Sequence, residues 1–196
     1  MEATSTPRFV RALRAIHEQK RGRTELEGAE AGFTLIELMV VLLIMAILLA
    51  IAIPTFLGVK SGAYDRSTQS NLTNALTSAK AGYANGGSYA TAASSEVTTL
   101  SSAEPNLSFV TAAASLGGNS VSVAVSADGQ ELMLVGYSQS GQCWAAEDNE
   151  GLTGSTAVTT GGDSSVGDWY TNWAESTTNT CIGSTVPSTV TWRTHY

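Results

Sequence analysis

Glu37 makes the sharpest chemical demand in the chain, because it lies one turn inside the start of an apolar stretch, directly against sixteen uninterrupted apolar residues, Leu38 to Ile53. An acidic side chain near the centre of a bilayer costs about 2.5–3.5 kcal/mol, and less near its edge. It is tolerable when a cation neutralises it. Cys143 and Cys181 are the two cysteines. Both follow the apolar run, on the side where an oxidising compartment is expected, so a disulfide is the natural reading. It would close a loop of about 39 residues and contribute about 3–4 kcal/mol in the chain-entropy view. Zinc would need two more ligands, and His17 and His195 are poorly placed to supply them. Glu147-Asp148-Asn149-Glu150-Gly151 clusters oxygen donors as a calcium loop does, with Asp163 and Asp168 as further candidates, but without alternating EF-hand spacing. A solvated turn is the simpler expectation. His195 is expected to be exposed, with no nucleophile and orienting acid assigned to it. There is no Gly-x-Ser-x-Gly elbow, phosphate loop or paired-histidine metal motif. The expectation is therefore a protein that is not an enzyme and holds no cofactor or metal.

The element that positions Glu37 is the apolar run itself. Phe33 to Ile53 would span about 31 Å as a helix, close to the hydrocarbon thickness of a bilayer. Six Lys/Arg precede it, with only Lys60 and Arg66 near its exit, which places the N-terminus in the cytoplasm. Before the run, Arg8, Arg11 and Arg14 alternate with Phe9, Leu13 and Ile16. That spacing allows a short basic amphipathic helix; membrane-surface contact or a secretory address and a plain soluble tail both stay open. After the run, Pro54 removes a backbone donor and is expected to kink or loosen the helix between Ile53 and Gly58, or to end it at the membrane surface. Leu72, Ala75, Leu76, Ala79 and Tyr83 then follow a three-to-four spacing, and Gly86-Gly87 marks the stop. One helix of about fifty residues is expected, apolar all round at first and amphipathic later.

The string Gly32-Phe33-Thr34-Leu35-Ile36-Glu37 resembles the class III signal of type IV pilins and type II secretion pseudopilins. The resemblance implies that a prepilin peptidase cuts between Gly32 and Phe33 and methylates the new Phe33 terminus. It also implies that the carboxylate of Glu37 meets the terminal ammonium of a neighbouring subunit during assembly, and that Pro54 bends or locally melts the helix inside the filament. The partners implied are copies of the same chain in a helical filament, the peptidase, an assembly platform, and the membrane before assembly.

The expected fold class is α+β: a long N-terminal helix, transmembrane in its first half and amphipathic in its second, packed on a small antiparallel sheet with a disulfide-closed C-terminal loop region. The domains follow as a removed leader at 1–32, a transmembrane and filament-core helix at 33–57, its amphipathic continuation at 58–84, and an extracytoplasmic head at 85–196. Within the head, residues 88–114 are rich in Ala, Ser and Thr and read as a loop with short elements. Val121, Val123 and Val125 alternate with small residues, and Leu132, Leu134 and Tyr137 follow a turn at Asp128-Gly129, which reads as a hairpin. Gln142 to Ala145 is expected to add a third strand. Residues 147–180 are expected to be mostly irregular, fastened by the disulfide and anchored by Trp144, Trp169, Tyr170 and Trp173.

The net charge is −7 for the whole chain. After residue 32 only four Lys/Arg face twelve Asp/Glu, which argues against intrinsic nucleic-acid binding. Two function classes remain. One is a structural subunit of a type IV pilus, with a pseudopilin or minor pilin of a secretion or competence apparatus as its variant, a single-pass membrane protein before processing and extracellular after assembly. The other is a secreted binding domain for which the apolar run is a signal peptide cut after Ala50-Ile51-Ala52. Against the second stand Glu37 inside the run and a helical stripe that continues beyond Pro54.

Overall fold

The computed structural model describes residues 32–151, 158, 161–174 and 181–196. The expected leader helix lies outside the described residues. The chain divides into two compact units, residues 1–53 and 54–196.

Helix α1, Leu35–Gly86, begins in the first unit and runs on into the second. Over residues 35–53 it is built from Leu, Met, Ala, Ile and Val, with Glu37 in the first turn and without glycine or proline, so no local signal stops it. Its large apolar side chains are exposed throughout, from Leu35 and Ile36 to Ile51 and Ile53. Pro54 lies inside α1, and the helix is not ended there. The helix stops at Gly87, whose φ of 73° is left-handed and whose N–H donates to the carbonyl of Tyr83 at 2.6 Å. That is an αL cap, which a residue with a Cβ adopts only at a cost.

In the second unit, α1 buries Thr68, Leu72, Ala75, Leu76 and Ala79. This is the three-to-four stripe legible in the sequence. A second helix, α2, spans Ala93–Ala103 and buries Glu96 and Leu100, one turn apart. Its Ser and Thr content conceals it from propensity, and tertiary burial of Leu100 supplies what propensity withholds.

The described strands are β1 Ser108–Thr111, β2 Ser120–Val125, β3 Glu131–Ser138, β4 Gln142–Asn149 and β5 Gly167–Ala174, and they form one sheet in that order. The expected hairpin is β2–β3, with Val125 opposite Leu132 and Gly129 at φ 69° in the turn. Two sequence expectations need correction. The sheet is mixed, because β1 pairs with β2 in parallel, Ser108 opposite Ser120. The return between them is pinned by hydroxyls: Ser115 Oγ donates to Ser120 O, and Ser122 Oγ donates to Ala113 O. Those bonds replace the crossover helix that usually joins parallel strands. The 147–180 region is also more regular than expected, since β4 runs on to Asn149 and β5 pairs with it along its whole length.

Period-two alternation sends the side chains of β3 to opposite faces. Leu132 and Leu134 join Leu72, Leu76, Tyr89, Leu100, Val121 and Val123 under α1. Met133 and Val135 join Cys143, Ala145, Cys181 and Val186 on the other face, with Trp173 and Trp192 packed around them. Cys143 and Cys181 are bonded, with Cα atoms 5.3 Å apart. The sheet is thus covered by helix on one side and by the C-terminal segment on the other.

Candidate functional site

Gly32, Phe33 and Thr34 precede the first helical residue, and Phe33 is 92 % exposed. Among the described residues no atom lies within 4 Å of where a Cβ of Gly32 would stand. Thr34 is the N-cap of α1 and Glu37 its third helical residue. The carboxylate of Glu37 accepts from the Thr34 N–H at 2.8 Å and from Thr34 Oγ1 at 2.7 Å, and the Glu37 N–H faces Thr34 Oγ1 at 3.3 Å. This is a reciprocal capping box. It satisfies donors that a helix start leaves orphaned, and it sets a negative charge at the positive end of the helix dipole. Glu37 therefore has a local partner within its own chain as well as any it meets elsewhere. Sequence reasoning passed over Thr34, although a threonine three residues before a glutamate at the head of an apolar run is the signature of such a box.

The remaining candidates separate. Glu147 and Asp148 are not in a solvated turn: both are fully buried in β4, and as neighbours on a strand they point to opposite faces. They cannot share one ion. Among the described residues no group of three or more His, Cys, Asp or Glu is placed to hold a metal. On the α1 side, Asp148 accepts from the Tyr89 hydroxyl and from Lys80 Nζ at 3.0 Å. Lys80 also donates to Asp168 at 2.7 Å. Burial opposes the Lys80 ammonium, but hydrogen bonds to Asp168 and Asp148 outweigh it and push its pKa up. Burial, with the facing Asp168, raises Asp148 to about 6 against the pull of Tyr89 and Lys80. On the opposite face, Asp163 gives its backbone N–H to Glu147 Oε2 at 2.9 Å.

Of the aromatic anchors, Trp144 donates from Nε1 to Asp65 and rests edge-on against Tyr196, which also stacks on Tyr170. Trp173 packs beside the disulfide. Trp169 joins neither core cluster and donates to Ser165 O. His195 is exposed, next to Thr194.

The geometry that stands out is a Gly–Phe bond immediately before a capped helix that is long and apolar enough to cross a membrane by length and composition. Such a segment resembles the class III signal carried by type IV pilins and pseudopilins. Residues 28–53 match the family model described as the prokaryotic N-terminal methylation motif. No curated protein and no solved structure matches the chain.

Proposed function

We propose that this chain is a structural subunit of a type IV pilus. The observation that carries the reading is the methylation motif at residues 28–53, set at the start of a helix whose apolar residues are exposed on every side. The uncut chain sits in the cell membrane with its leader in the cytoplasm. A prepilin peptidase cuts between Gly32 and Phe33 and methylates Phe33, and an assembly platform moves the subunit into a filament. There the apolar part of α1 exchanges lipid for identical helices, and Glu37 meets the new ammonium of a neighbour. Pro54, which supplies no N–H, is the place where α1 loosens to fit that packing.

Mass spectrometry of the mature N-terminus tests the reading. A methylated Phe33 is expected; a chain beginning at Ile53 would make the apolar run a signal peptide and overturn it. A pseudopilin or minor pilin shares the same motif. Sheared surface filaments composed mainly of this chain support the pilus subunit, whereas filaments in which it is absent or sparse favour that alternative.

A further inference from the structure

The face of the sheet opposite α1 contains a pair of acids that no assembly role uses. Glu131 on β3 and Glu147 on β4 both have 0 % exposure. Met133 stands opposite Glu147, and Glu131 opposite Asn149, so the two acids are diagonal neighbours on one face. Each holds a backbone N–H of the segment that crosses them: Val158 N donates to Glu131 Oε1 at 2.9 Å, and Asp163 N to Glu147 Oε2 at 2.9 Å. The remaining oxygens, Glu131 Oε2 and Glu147 Oε1, are buried and receive no donor among the described residues. Gly162 passes directly over the pair, where a Cβ would stand 3.2 Å from Glu131 Oε1 and 3.3 Å from Glu147 Oε1. The crossing segment is itself tied down by Trp192 Nε1, which donates to Gly161 O at 2.7 Å.

Two ionised carboxylates this close and this buried would repel in a medium that screens poorly, with two oxygens left bare. A single proton removes both difficulties, because it turns one bare oxygen into the donor the other lacks. We propose that Glu131 and Glu147 share one proton, and that this proton clasps Val158 and the Gly161–Asp163 backbone onto the sheet, so that their hold on this face tightens in acid and loosens as pH rises. The charged groups that face the pair do not supply an alternative. Asp128 from the β2–β3 turn and Asp163 from the crossing segment are both acidic, and β5 presents the neutral Trp169 opposite Glu147. Burial pushes both carboxyls up, Glu147 to about 8.

The sign follows from linkage. An acid near 4.5 when free and near 8 in the closed form binds more proton in the closed form throughout that window, so closure weakens from about pH 5 to 8 and then levels. The test is hydrogen exchange of the full chain in detergent, read at the Val158 and Asp163 amides and corrected for the intrinsic pH dependence of exchange. Protection is expected to fall about tenfold per pH unit across that window, one proton being released per opening. In Glu147→Gln the amide keeps the acceptor for Asp163 and gives Glu131 a permanent donor, so protection should be flat with pH and above wild type at pH 8. An infrared band of a protonated carboxylic acid, present at pH 7 where Asp148 is mostly ionised, lost by pH 9 and missing in the variant, is the second expected sign. Flat wild-type protection, absence of that band at pH 7, or protection at pH 8 that depends on added calcium would each overturn the shared proton.

Discussion

Asp148 on β4 and Asp168 on β5 stand directly opposite each other, and Lys80 from α1 reaches both, with Nζ 3.0 Å from one carboxylate and 2.7 Å from the other. Like charges facing across strands are unfavourable without a cation between them. The lysine thus ties helix to sheet and makes the β4–β5 pairing tolerable at this register.

Lys80→Met should therefore destabilise the head, although its methylenes still pack. Breaking a buried pair costs about 3–5 kcal/mol, but the Lys80 side chain is 36 % exposed, which screens part of the loss. A drop of about 2 kcal/mol is expected in denaturant unfolding, and Lys80→Met with Asp148→Asn should recover part of it.

At Gly136 the side chains of α1 approach the sheet closely. A Cβ there would stand 2.8 Å from Thr68 Cγ2, inside contact distance. Gly136→Val is expected to cost about 2–3 kcal/mol by overpacking, and shortening Thr68 to Ser in the same chain should relieve much of it. Equal stability of Gly136→Val and wild type would show that the helix can step back.

The disulfide joins positions 38 apart in sequence and holds the C-terminal segment against β4. Cys143→Ala with Cys181→Ala should lose about 3–4 kcal/mol in unfolding. Two titratable thiols in the native wild-type protein would contradict the bond itself.

At the start of α1, Thr34→Val removes the hydroxyl that faces Glu37, at a cost of about 1 kcal/mol. Exchange at the Ile36 and Glu37 amides should speed about fivefold, with Thr34→Ser near wild type. Glu37→Ala should leave membrane insertion and cleavage intact while filaments are lost; normal filaments by electron microscopy would refute its role in assembly.

Acidity should act on both faces of the sheet. Asp148 is raised to about 6 and Glu147 to about 8, above their free values, so the folded chain holds more proton than the unfolded one from about pH 4 to 8, and stability falls across that range. Asp65 and Asp168 are lowered: burial opposes this, but hydrogen bonds from Ser138, Ser140 and Trp144 hold Asp65 down, and bonds with Asp148 and Lys80 hold Asp168 down. Their contribution is lost at the acid end instead. Thermal unfolding should therefore peak near pH 4–5, and Glu147→Gln should flatten the fall toward pH 8.

The parts of this fold that could be read in advance are those where one periodicity governs a whole element. The Leu72–Tyr83 stripe and the alternating valines of β2 are such cases. What escaped was decided between distant residues. Leu100 is needed to see α2, Ser115 to see why β1 runs parallel, and β4 to see that the Gly- and Thr-rich chain around Trp169 completes a strand. At the site, the Gly–Phe bond and Glu37 were legible because their order is fixed, while Thr34 was legible and overlooked. The acids at 147 and 148 suggested water because composition cannot reveal that a strand would bury them.

The alternation of β4 has a last consequence. Glu147 and Asp148 are consecutive, yet one is answered by a proton and the other by an ammonium, on surfaces separated by the thickness of a sheet. Ionic strength addresses the second and leaves the first nearly untouched. A single peptide bond thus joins two acidity gauges on opposite faces of one sheet, of which only the lysine-paired one also answers to salt.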